Sequence, residues 1–155
     1  MWAVQDSVEA VEGAVETVRW LATNGVRLGV VSSAVHHQTL AWSLGRIGLE
    51  GTFQHVVTSA SSGYYKSSTA IYSHALALLG ATAPMSVHVG DSLRWDVTVS
   101  RQAGMHPVWL QTRRPETFSQ GLPVTEPALT LQSLVGAGPV LMDLLAAIRS
   151  EHPNG

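Results

Sequence analysis

Helix-like and strand-like segments alternate from one end of the sequence to the other, and that alternation predicts a three-layer α/β sandwich with a mainly parallel sheet. Two further observations support it. The strand candidates are short, largely apolar runs rich in β-branched residues, such as Val26 to Val31, the pattern of buried strands. The segments between them carry apolar residues at helical spacing and stop at glycine or asparagine.

Val8, Val11, Val15, Val18 and Ala22 fall on one helical face, and Asn24-Gly25 supplies the stop, so Ser7 to Thr23 reads as the first helix. Val26 to Val31 is a buried strand that enters a polar loop at Ser32-Ser33. Leu40, Leu44 and Ile47 mark a second helix closed near Gly48, and Phe53 to Thr58 a second strand. Ser59 to Tyr65 is a Ser/Gly-rich loop leading to Lys66. Ala70, Ile71, Ala75, Leu78 and Leu79 restore the helical pattern up to Gly80. A third strand, Ser86 to Val89, precedes a helix from Leu93 to Ala103 capped by Gly104, and His106 to Leu110 is a fourth strand. Gln111 to Pro127 is interrupted by proline and reads as irregular. Pro139 suits the first turn of a last helix carrying Leu141, Leu144, Leu145 and Ile148, and Glu151 to Gly155 reads as a frayed tail.

The 155 residues suit one domain, and no repeat or low-complexity linker divides them. Charged residues make up only 13% against 45% apolar, in keeping with a core of continuous apolar strands. A net charge of −2 gives no electrostatic case for nucleic acid or an anionic membrane. The absence of cysteine excludes disulfides, thiolate zinc sites and a cysteine nucleophile. No apolar run approaches the ~18 residues of a membrane span, and the first residues carry no basic region, so a cytoplasmic location is the expectation.

In such a sheet, ligands bind outside the carboxyl ends of the strands. Ser32-Ser33 ends one strand, Asp91-Ser92 ends another, and Lys66 lies in the connection after a third. A hydroxyl, a cation and carboxylates converging on one edge suit a phosphate with a divalent metal. Each residue also has a plainer reading. Asp91 fits a helix N-cap, Asp96 a solvated acid in a first helical turn, Lys66 a surface lysine, and Ser32 the cap of the helix that follows. Among seven histidines only His36 and His37 are adjacent, and no pair has the spacing of a zinc protease. His88, inside the third strand, reads as packed. Trp20, Trp42 and Trp109 read as core or partly buried, and Trp95 as surface packing near the site mouth.

Three segments, in this order, resemble the haloacid dehalogenase-like hydrolase superfamily, most of whose members are magnesium-dependent phosphatases. VEGAVETVRWLATNGVRLGVVSS (Val11 to Ser33) is similar to its second motif, with Ser32 at the phosphate-binding position and Ser33 contributing through its amide. GYYKSSTAIYSHALALLG (Gly63 to Gly80) is similar to its third, with Lys66 as the phosphate-stabilising catalytic lysine. VHVGDSLRWDVTVSRQAGMHPVWL (Val87 to Leu110) is similar to its fourth, with Asp91 and Asp96 as the acidic pair that binds Mg2+. The resemblance implies a Rossmann-like sandwich, a phosphatase mechanism with Mg2+ as cofactor, and a small phosphorylated metabolite as substrate.

Two departures accompany the resemblance. Ser67-Ser68 stand where the family often has Pro and an acid after the lysine. More consequentially, nothing matches the first motif, an apolar strand ending in Asp-x-Asp that supplies nucleophile and general acid/base. Asp6 follows Gln5 rather than an apolar strand, and Val8 occupies the second carboxylate's place. The resemblance therefore implies a missing central strand between Val26–Val31 and Val87–Val89, and no cap domain apart from a linker or cap remnant over residues 1–10. Either those strands close on each other, or a partner segment or second copy fills the gap, or the sequence is a fragment. A phosphatase incomplete in its nucleophile is the leading expectation. A non-catalytic phosphate- or protein-binding module is the alternative, and a receiver- or flavodoxin-like domain fits poorly, since no early acidic cluster is present.

Overall fold

The structure is a computed structural model and describes residues 10–34, 36–111 and 125–153. Helix α1 is Ala14–Thr23, followed by strand β1 at Gly29–Ser32 and helix α2 at His37–Arg46. Strand β2, His55–Thr58, runs into the one-turn helix α3, Ser59–Ser62, and then α4, Thr69–Leu79. A 3-10 turn at Ala83–Met85 leads to β3, Val87–Gly90. A π-helical segment, Leu93–Val99, continues into α5, Ser100–Gln102, and is followed by β4, His106–Leu110. Strand β5, Leu129–Leu131, and helix α6, Ala137–Glu151, complete the order.

Every strand pairing is parallel. Among the described residues the strands form two sheets, β1-β2 and β3-β4-β5, and β1 does not pair with β3. The two candidate inner strands therefore do not close on each other. Burial agrees with this. Val30, Val31 and Ser32 of β1 and all four residues of β3 are half-buried, whereas Pro107, Val108 and Leu110 of β4 are fully covered.

Two apolar clusters fill the two sides of the sheets. On one, Ile71, Tyr72, Ala75 and Leu76 of α4 pack with Val57, Val99 and Met105, with Val31 and Trp95 alongside. On the other, Leu21 of α1 and Leu141 of α6 meet Val108, with Val87, Val89, Leu129 and Leu131 alongside. Side chains alternate along a strand. With Val87 and Val89 given to the α1/α6 side, His88 and Gly90 face the α4 side, where the site is built.

Some sequence expectations are corrected. The first helix begins at Ala14 rather than Ser7, because Gly13 takes a left-handed φ of 80° and a Cβ there would overlap the backbone of Leu134 and Val135. Val8 lies outside the described residues, and Val11 is exposed. Trp20 and Trp42, read as core or partly buried, are exposed, while Trp109 is half-buried. The Ser59 to Tyr65 loop contains α3, closed by a reciprocal cap in which Thr58 Oγ1 accepts from the Ser61 amide (3.0 Å) and Ser61 Oγ from the Thr58 amide (2.9 Å). Strand β5 lies between the irregular stretch that ends at Pro127 and the last helix, where the sequence suggests no element, and at three residues it is too short for an alternation to show. Helix α6 reaches Glu151, one residue into the expected tail, and residues 154–155 lie outside the described set.

Candidate active site at the carboxyl ends of the strands

β3 ends at Gly90, and the chain turns through Asp91-Ser92 into the π-helical segment. Ser92 Oγ accepts from the Trp95 amide at 3.1 Å and caps it. The amides of Asp96 and Val97 both reach the Ser92 carbonyl, at 2.9 and 3.0 Å, the second being an i→i+5 bond. This wide turn lays Asp96 back against Gly90, where a Cβ would overlap the Asp96 side chain. Glycine is required there by close approach.

Asp96 is only 3% exposed and is the centre of the site. Its Oδ1 accepts from Lys66 Nζ at 2.6 Å and from His88 Nε2 at 2.9 Å, and its Oδ2 accepts from the Ser92 amide at 3.1 Å. Burial pushes the Asp96 carboxyl up. The His88 hydrogen bond and the Lys66 ammonium outweigh that and hold it well below the usual carboxylate range. An ionised acceptor assigns the proton to Nε2 of His88. Tyr72 meets the His88 ring edge-on, with centroids 5.0 Å apart, and donates from its hydroxyl to the Trp95 carbonyl at 3.0 Å. Burial, followed by the negative charge of Asp96, pushes the Tyr72 phenol up.

The other predicted residues lie at neighbouring strand ends. Ser32 closes β1 in register with Thr58 of β2. Its Oγ accepts from the Ala34 amide at 3.1 Å, which leaves the hydroxyl proton available to a ligand. Ser33 is exposed. Asp91 is exposed just past β3, and its backbone carbonyl accepts from Trp109 Nε1 at 3.0 Å. The fold thus brings Lys66 and Asp96 into direct contact across thirty residues, while among the described residues no hydrogen bond joins Ser32, Ser33 or Asp91 to that pair. Asp6 lies outside the described residues. The residue that sequence reasoning misses is His88. The signal for it is a polar side chain in register with Gly90 on one face of β3.

Residues 3–110 match the family described as haloacid dehalogenase-like hydrolase. The chain belongs to this family. Among the relatives of this haloacid dehalogenase-like chain is the human haloacid dehalogenase-like hydrolase domain-containing protein 3, 35% identical over 98 residues, or 63% of this chain and 38% of the human one. A glyceraldehyde 3-phosphate phosphatase of Methanothermobacter thermautotrophicus is 32% identical over 111 residues, covering 68% of this chain and 48% of its own length. Of solved structures, a HAD phosphatase from Thermococcus onnurineus superposes with a TM-score of 0.70 at 26% identity, over 86% of this chain and 58% of that one. A HAD-hydrolase of Bacillus subtilis, solved bound to magnesium, superposes with a TM-score of 0.75 at 18% identity, over 92% of this chain and 57% of that one, and shows the fold alone. The chain thus spans about half the length of the relatives it matches.

The donor chemistry bears on magnesium. Among the described residues no group of three or more His, Asp or Glu side chains is arranged to hold a metal ion. Magnesium, however, is commonly held by one or two carboxylates together with substrate phosphate and its own waters. The exposed carboxylate of Asp91 fits one such position. Both oxygens of Asp96 already accept hydrogen bonds, so a cation there would have to compete with Lys66. Among the described residues no helix is long and apolar enough to cross a membrane.

Proposed function

We propose that this chain is the phosphate-binding, charge-stabilising body of a magnesium-dependent phosphatase acting on a small phosphorylated metabolite in the cytoplasm, and that it forms a single core domain over residues 1–155. The observation that supports this reading is the 2.6 Å Lys66–Asp96 pair set beside an exposed Asp91 at the end of β3. A lysine kept beside the strand ends by a buried carboxylate stands as a cation within reach of a phosphoryl group, and positive charge brought to such a group stabilises its transition state. Ser32 donates its hydroxyl proton to a phosphate oxygen, the Ser33 amide joins it, and Lys66 offsets the negative charge. Asp91 is the direct magnesium ligand in this reading, with Asp96 as the resting partner of Lys66. When bound, magnesium supplies charge neutralisation at the phosphoryl oxygens.

Phosphatases of this kind form a covalent phosphoryl-carboxylate intermediate. The 155 residues hold no Asp-x-Asp motif to serve as nucleophile and acid, so the reading gives this chain alone binding with little or no turnover. A strand from a second copy or another polypeptide, paired with β1 and β3, is the partner that completes the sheet in this proposal. The deciding experiment is a calorimetric titration of Mg2+ in the presence of orthovanadate, with wild type and Asp91→Asn compared. Binding that weakens at least about tenfold in the variant supports the assignment. Equal binding defeats Asp91 as a ligand, and no binding of vanadate by the wild type defeats the phosphate reading and favours a protein-binding module.

A further inference from the structure

We infer that His88 is a positioning residue that makes Lys66 releasable: it keeps the buried Asp96 carboxylate hydrogen-bonded while the lysine moves off it to take up phosphate. The inference rests on the reading of Lys66 as a phosphate ligand.

Its basis is a sharing of one oxygen. Lys66 Nζ and His88 Nε2 both donate to Asp96 Oδ1, at 2.6 and 2.9 Å. The Asp96 side chain is 5% exposed, so water has little access to it. A buried carboxylate stripped of its partners is strongly destabilising, and a lysine that was its principal donor would be trapped against it. Here the departure of Lys66 leaves Oδ1 with the His88 N–H and Oδ2 with the Ser92 amide, so each oxygen keeps a donor.

The two donors also differ in freedom. Lys66 is 18% exposed at its side chain, follows the exposed Tyr64 and Tyr65, and has a long flexible stem. The His88 ring is fixed by strand β3 below it and by the edge-on contact with Tyr72, which is itself anchored through its hydroxyl to the Trp95 carbonyl. One donor can leave and the other cannot. A histidine whose role was only to fill space would not need a ring nitrogen aimed at the oxygen the lysine uses.

Lys66 is the single lysine among 155 residues, so lysine labelled with 15N at the side chain gives one Nζ resonance that reports this group alone. The experiment titrates inorganic phosphate into wild type, His88→Phe and His88→Gln while following that resonance. In wild type phosphate shifts it. His88→Phe weakens phosphate about tenfold or more, and His88→Gln, whose side-chain amide can still donate to Asp96, returns most of the affinity. A His88→Phe chain that is folded and titrates like wild type overturns the inference alone. A wild-type lysine resonance unmoved by phosphate overturns it together with the phosphate reading. If His88→Phe does not fold, the unaltered chain decides: the His88 Nε2–H resonance shifts in step with Lys66 as phosphate is added, and an Nε2–H signal that stays fixed while Lys66 moves overturns the inference.

Discussion

The ammonium of Lys66 and the carboxylate of Asp96 meet at 2.6 Å, one from the loop before α4 and the other from the π-helical turn after β3. The two partners are not equivalent. Asp96 has two other donors, and Lys66 leans on Asp96. Replacing Asp96 by Asn strands the lysine and leaves an amide group facing donors, which costs about 3 kcal/mol. Lys66→Met leaves Asp96 with His88 and Ser92, and costs about 1–2 kcal/mol. Denaturant unfolding of both variants checks the order. If Lys66→Met proves the more damaging, the lysine is holding the carboxylate and not the reverse.

Acid should expose the same pair. The carboxyl of Asp96 sits below its ordinary value of 3.8 when folded, so just below that pH the unfolded chain binds a proton that the folded chain refuses. The stabilisation is fully present above about pH 5 and drains away as the pH falls through the unfolded and then the folded value. Its size is on the order of 2–4 kcal/mol. Unfolding midpoints measured from pH 6 down to pH 3 fall more steeply for wild type than for Asp96→Asn, and parallel curves would show that Asp96 is not the group responsible.

Much of this is legible in the sequence. Short apolar runs such as His106 to Leu110 are recognisable as strands by composition alone, and the turn at Gly90-Asp91-Ser92 with Lys66 upstream locates the site edge. The contact partners are not legible, for a geometric reason. Helical spacing counts in steps of 3.6 residues, and the i→i+5 bond from Val97 to Ser92 breaks that count where Asp96 is placed. Spacing alone leaves Asp96 open between a metal-binding acid and a solvated first-turn acid, because its phase back over Gly90 depends on the wide turn. His88 reads as packing because its partner lies eight residues on, beyond that turn. Ser32 and Asp91 are easier, since a strand's end is fixed by where its apolar run stops.

Alkali tests the opposite side of the site. Tyr72 is buried beneath His88 with its phenol pushed up from an ordinary value of 10.0, by burial first and the Asp96 charge second. Above pH 10 the unfolded chain loses a proton that the folded chain retains, so stability falls as the pH rises. Absorbance at the phenolate wavelength, taken as the difference between wild type and Tyr72→Phe, shows no Tyr72 ionisation until the fold opens. A smooth titration of that difference near pH 10 in folded protein would place the phenol in water. The same variant frees the Trp95 carbonyl and costs about 1 kcal/mol at neutral pH.

Gly90 gives the sharpest test of the site's packing. Two glycines in the strands lack room for a methyl group, and they differ in what stands in the way. At Gly29 the obstacle is the far end of the Leu79 side chain, 2.9 Å from where a Cβ would sit, and a leucine methyl can swing aside. At Gly90 it is the Cβ and carboxylate of Asp96, held by Lys66, His88 and Ser92. An alanine there must either push β3 away from the π-helical turn or expel the carboxylate from its three donors. Gly90→Ala is therefore destabilising by about 3 kcal/mol or more, against about 1 kcal/mol for Gly29→Ala. The lysine resonance separates the two effects, because expulsion of Asp96 moves the Lys66 signal in Gly90→Ala and leaves it unchanged in Gly29→Ala. Equal losses of stability with an unmoved lysine signal in both would mean that Asp96 is free to turn away, and that its three hydrogen bonds do not fix it.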